Sequence, residues 1–86
     1  SEGAWTYIKG VDFGKGTEKL LVTAKGTGVI EIRLDDRNAE PLGVIELAND
    51  EFDKIPVVLP TKITGIHNVY FAFSSKDICL ERWQAE

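Results

Sequence analysis

Three kinds of side chain in this sequence could carry chemistry: clustered carboxylates, a lone histidine and a set of amphipathic aromatic rings. The carboxylates fall in two runs, Asp35-Asp36 and Asp50-Glu51-Phe52-Asp53. Glycoside hydrolysis uses two carboxyl groups held roughly 5–9 Å apart, and calcium takes hard oxygen ligands gathered on a bend. Both runs lie where the chain is expected to turn, and turn carboxylates ordinarily bond their own backbone and face water. His67 is the single histidine. A nucleophile would have to sit beside it, yet Ser74 and Ser75 fall in a predicted turn and Cys79 in a predicted strand, and no spacing brings them to it. His67 is therefore read as structural or solvent-exposed, and Cys79 as a small buried or half-buried thiol. Asp12-Phe13-Gly14 copies three letters of the kinase magnesium loop without the glycine loop, strand lysine and catalytic-loop aspartate that give them meaning.

The rings remain. Trp5, Tyr7, Phe52, Tyr70 and Trp83 are more amphipathic surface than a minimal core requires. A flat apolar face edged by polar groups suits a sugar ring, and pockets use such rings with a few placed hydrogen bonders to orient a ligand. Trp5 and Trp83 could equally serve as core filling.

The elements that must position these residues are strands. Ile30, Ile32 and Leu34 alternate with Glu31 and Arg33, and Val69, Phe71 and Phe73 alternate with Tyr70 and Ala72, the period of a strand with one face buried. Leu20, Val22 and Ala24 repeat the pattern, closed by Gly26 and Gly28. A polar turn at Asp35-Asp36-Arg37-Asn38 joins two strands as a hairpin, and residues 49–54 form a polar excursion. Pro56 places the next strand at an edge or bulge. The final strand sets Ile78, Leu80 and Arg82 on one face against Cys79, Glu81 and Trp83 on the other. Roughly seven or eight short strands with no helical stripe predict an all-β antiparallel β-sandwich.

At 86 residues the chain is a single domain, residues 1–86, too short for a barrel or dinucleotide-binding enzyme. The net charge of −4 argues against nucleic acid as a partner and against an anionic membrane surface. One cysteine allows no internal disulfide. No apolar run approaches the ~20 residues of a membrane-spanning helix.

Four segments carry a resemblance to a known family. GVIEIRLDDRNAEPLG at 28–43 resembles the strand, turn and glycine typical of family 6 carbohydrate-binding modules. TGIHNVYFAF at 64–73 is similar to that family's "SGVHDLYLVF", GAWTYIKGVDFG at 3–14 to its "GDWISYKNVDFG", and ICLERWQAE at 78–86 to an ending like "FNLDWFQF". The matches occur in order over nearly the whole chain. The resemblance implies a jelly-roll sandwich that binds polysaccharide of the xylan or β-glucan class without catalysis. It also implies an accessory of a secreted or periplasmic glycoside hydrolase, and a structural calcium ion.

Departures from the family pattern narrow the site. The family's N-terminal strands, with one sugar-stacking aromatic, precede the matched region, so the resemblance implies that another chain supplies them or that an edge is left exposed. The second stacking position falls in the loop where Phe52 is the sole ring. Cys79 stands where a ligand-binding asparagine is usual, Glu81 where a calcium-ligating aspartate is usual, and Arg82 where tryptophan is usual, with Trp83 one place on. The end cleft is thus depleted, leaving the sheet face with Trp5, Tyr7 and Glu31 as ligand-binding candidates, Phe52 as a fourth, and Glu81 as the candidate metal ligand. The competing expectation is a structural or protein-interaction sandwich that has lost its sugar site, which the burial of Trp5, Tyr7 and Trp83 would favour.

Overall fold

The computed structural model describes residues 4–86, and every regular element among them is a β-strand. The strands are β1 (Ala4–Asp12), β2 (Thr17–Leu34), β3 (Gly43–Ile63), β4 (Ile66–Phe73) and β5 (Cys79–Ala85), all paired antiparallel. β2 is the hub. Its residues 30–34 pair with β4 and its residues 20–25 with β5, while β3 follows it along both parts. One layer is therefore β1-β4-β2-β3, and the other is built from β5 and the remaining halves of β2 and β3. Pro56 lies in β3, whose sole partner among the described strands is β2, so the missing donor faces an open edge as the sequence predicts.

Alternation sorts the core. Ile30, Ile32, Val69, Phe71, Ile45 and Leu47 point inward from the first layer, and Leu20, Val22, Ala24, Val57 and Leu59 from the second. Sealing each large side chain is worth about 1.5–3 kcal/mol. Trp83 closes one side, its ring 5.6 Å from Phe71 and 6.4 Å from Phe13 between centroids.

The expected seven or eight strands are five because two expected breaks are bends within continuous strands. Gly26 and Gly28 do not end β2; they carry it from one layer to the other at φ +119° and +142°. A Cβ on Gly26 would lie 2.0 Å from the Asp77 carbonyl oxygen. The turn between β4 and β5 presses on this corner, where β2 changes partner from β5 to β4. Residues 49–54, expected as a loop, lie inside β3. There Ala24 faces Asp53 and Gly26 faces Asn49, so three β3 residues stand against Lys25 alone as an enlarged bulge. The Asn49 side-chain amide holds it by donating to the carbonyls of Ala24 (3.1 Å) and Glu51 (2.8 Å).

β5 departs from simple alternation as well. Thr23 faces Arg82 while Ala24 faces Leu80, leaving Glu81 as an extra residue. The bulge puts Leu80 and Trp83 on the same, core-facing side, although alternation places them on opposite faces. Cys79 is exposed rather than buried or half-buried, because it opens β5 on the side away from the core, opposite Lys25.

Candidate functional site

On the outer side of the first layer, the residues that alternate with the core form two rows across the strands. Trp5, Ala72, Glu31 and Val44 make one row, and Tyr7, Tyr70 and Arg33 the next. The three candidates Trp5, Tyr7 and Glu31 thus share a face. Trp5 is 38% exposed and Tyr7 49%. Tyr70 sits between them, stacked on Tyr7 at 4.7 Å between ring centroids and edge-on to Trp5 at 6.1 Å. Lost hydration among the rings, with Tyr7 and Asp36 nearby, holds the Tyr70 hydroxyl above its ordinary pKa, so it stays neutral.

Charged groups frame the indole. The guanidinium carbons of Arg33 and Arg37 lie 5.9 and 5.6 Å from the centre of the Trp5 ring, within the range of cation–π attraction. Arg33 is fixed: its terminal nitrogen is 2.9 Å from a Glu31 oxygen and its Nε donates to the Ala39 carbonyl at 2.7 Å. Together with Asn38, Phe73, Ser74, Val29 and Ala72, these groups line a cleft of ≈ 690 Å³, a volume in the ~300–1,000 Å³ range of ligand sites.

Arg37 and Asn38 come from the 35–42 connection, and its entry is pinned. Asp35 takes a left-handed conformation, φ 64°. Its N–H donates to the Asn68 carbonyl (2.8 Å), and its carboxylate accepts from the Asn68 N–H (3.0 Å) and meets His67 Nδ1 at 2.6 Å. His67 Nε2 lies 2.8 Å from the Thr64 carbonyl. With an acceptor at each ring nitrogen, the arrangement is satisfied by the imidazolium. The Asp35 hydrogen bond raises the His67 pKa against the opposing effect of burial, and the Asn68 N–H followed by His67 lowers that of Asp35. His67, expected to be structural or solvent-exposed, is half-buried and spends both ring nitrogens on Asp35 and Thr64.

The other two candidates lie elsewhere. Phe52, 41% exposed, sits in the β3 bulge within a separate depression of ≈ 480 Å³ formed by residues 49–53, with the Lys25 ammonium 4.8 Å from its ring centre. Glu81, the extra residue of β5, has Arg82 Nε at 3.7 Å. Among the described residues no three His, Cys, Asp or Glu side chains gather to hold a metal, so Glu81 has no donor set of that kind around it. Arg33, Arg37 and Asn38 line the cleft without having been singled out in the sequence, and Tyr70, one of the five rings noted there, stands between Trp5 and Tyr7. Arg33 could have been found by its outward phase beside Glu31, whereas nothing in a polar turn announces that it folds back over a sheet.

Neither a protein-family model nor a curated protein matches the sequence. Solved structures do match the architecture. A family 6 carbohydrate-binding module superposes with a TM-score of 0.89 at 21% identity, over 100% of this chain and 69% of that one. This chain has the fold of the family 6 carbohydrate-binding modules. A second such module, from Clostridium cellulolyticum in complex with xylose, matches at TM-score 0.83 and 24% identity over 99% of this chain and 73% of its own. A Bacillus subtilis glycoside hydrolase family 43 arabinoxylan arabinofuranohydrolase, solved with cellotetraose, also matches at 0.83 and 24%, but this chain spans only 20% of it. The family 6 fold is thus shared over the whole described chain.

Proposed function

We propose that this chain is a non-catalytic carbohydrate-binding module whose ligand, a polysaccharide of the xylan or β-glucan class, lies across the outer face of β1, β4 and β2. The observation that carries the proposal is the exposure of Trp5 and Tyr7 on one sheet face beside Glu31, Arg33 and Asn38. The indole provides the apolar platform for a sugar ring, and the polar groups around it address the hydroxyls. The xylose and cellotetraose held by the structural neighbours support the ligand class. Among the described residues Glu31 is the single carboxylate lining the cleft and is paired with Arg33, so the two-carboxylate machinery of glycoside hydrolysis has no second member among them. In its parent the module would serve a glycoside hydrolase acting where the polymer is, outside the cytoplasm.

Titration with soluble xylans and mixed-linkage glucans, followed by tryptophan fluorescence and calorimetry, tests the proposal. Trp5→Ala is expected to remove most of the affinity while leaving the fold intact, since its ring is on the surface. Unchanged affinity in Trp5→Ala and Tyr7→Ala would overturn the sheet-face site. The competing structural sandwich would be favoured by buried rings; Trp83 does pack against the core, but Trp5 and Tyr7 do not.

A further inference from the structure

The charge of the cleft runs against that of the molecule. The chain carries −4 overall, yet among the described residues the charged side chains lining the cleft are one glutamate and two arginines. Glu31 and Arg33 neutralise each other at 2.9 Å, and Arg33 spends its Nε on Ala39. Arg37 is left over. It has no ion-pair partner among the described residues. The neighbouring acid, Asp36, has one carboxylate oxygen engaged by the Asn38 N–H at 2.8 Å. A neutral glycan needs hydroxyl-bonding groups, which Asn38 and Ser74 supply; it gives the Arg37 guanidinium no counter-charge.

We propose that the cleft selects β-linked glycans bearing a uronic-acid carboxylate, with Arg37 as the group that receives it. The proposal rests on the sheet-face reading above. A guanidinium meets a carboxylate through two parallel N–H donors, which fixes orientation as well as charge. The Arg37 guanidinium carbon lies over the Trp5 ring, 5.6 Å from its centre, so a sugar seated against the exposed part of the indole brings the carboxylate of that ring, or of a branch on it, within reach. Arg37 is exposed, two residues after Asp35, which His67 and Asn68 pin at the entry of its loop. Its contribution is accordingly modest and sensitive to salt.

The test compares glucuronoxylan with the same polymer after its carboxyl groups have been reduced to alcohols, by calorimetry at about 50 mM and about 500 mM sodium chloride. The acidic polymer is expected to bind roughly three- to tenfold more tightly at low salt, the range of a partly exposed charge-assisted pair. High salt and Arg37→Gln should each bring that ratio towards one, and Arg37→Lys should restore only part of it. Trp5→Ala should weaken binding of both polymers. Equal binding of the two polymers by the parent protein at low salt, or a preference that Arg37→Gln leaves untouched, would overturn the uronate proposal and leave the sheet-face site standing. Binding of neither polymer would overturn both.

Discussion

His67 is held by two acceptors of different kinds, and its proton balance follows from them. The Asp35 carboxylate lies 2.6 Å from Nδ1 and the Thr64 carbonyl 2.8 Å from Nε2. Asp35 raises the imidazole pKa above its ordinary 6.5, and the Asn68 N–H and His67 lower the Asp35 pKa below its ordinary 3.8. A raised histidine pKa stabilises the fold fully below pH 6.5, and the contribution is lost as pH climbs through the higher folded-state value. A lowered aspartate pKa stabilises fully above pH 3.8 and is lost as pH falls through the lower folded-state value. The pair is therefore worth most between those limits. Because the chain has one histidine, no other imidazole contributes to a stability decline above pH 6.5. Thermal unfolding between pH 5.5 and 8 should show the midpoint falling with pH in the parent and a flatter profile in His67→Gln. An equally steep fall in both would show that the pair carries no pH dependence.

At the scale of elements, the corner of β2 depends on two glycines for different reasons from the turn glycine between β3 and β4. Gly26 combines φ +119° with a Cβ position 2.0 Å from the Asp77 carbonyl oxygen, and backbone is the neighbour least able to give way. Gly65 has φ +79° and nothing within 4 Å of its Cβ position. Gly65→Ala should cost only conformational strain, about 1–2 kcal/mol. Gly26→Ala adds overpacking against the β4–β5 turn and should cost roughly 2–5 kcal/mol. Urea denaturation of the two variants checks the order; a smaller loss in Gly26→Ala would mean that the corner is not under this constraint. The alternation of 30, 32 and 34 against 31 and 33 is legible in the sequence because a strand with one buried face has period two. The rows containing Trp5, Tyr7, Tyr70, Glu31 and Arg33 follow once neighbouring strands are in register. Ladder faults are not legible in this way. The extra residue Glu81 and the three residues opposite Lys25 are set by what the partner strand presents, and that information lies far away in the chain. Trp83 therefore turns inward, and Phe52 lies apart from the face that holds Trp5.

Across the whole molecule the two tryptophans divide the labour between fold and site. Trp83 bridges the layers, touching Phe71 of β4 and Phe13 before β2, and packs against the core although part of it remains accessible. Trp5 lies on the opposite side of the first layer, 38% exposed, between the Tyr70 ring and two guanidinium groups. Truncating Trp83 strips the cover from two core rings, so Trp83→Ala should lose roughly 2–4 kcal/mol, somewhat below the cost of a fully sealed aromatic. That is a large share of the ~5–15 kcal/mol holding a small domain together. Trp5→Ala removes a partly exposed ring with its contacts to Tyr70 and the two guanidinium groups and should cost about 1–2 kcal/mol, less than Trp83→Ala, while abolishing most of the response to polysaccharide. The single-tryptophan variants Trp5→Phe and Trp83→Phe separate the signals. Emission from Trp5 should sit at longer wavelength, quench readily with iodide and move on adding xylan or glucan; emission from Trp83 should be bluer and unmoved. A ligand-dependent shift confined to Trp83, or a stability loss larger in Trp5→Ala than in Trp83→Ala, would reverse the two roles and with them the assignment of the outer face as the binding surface.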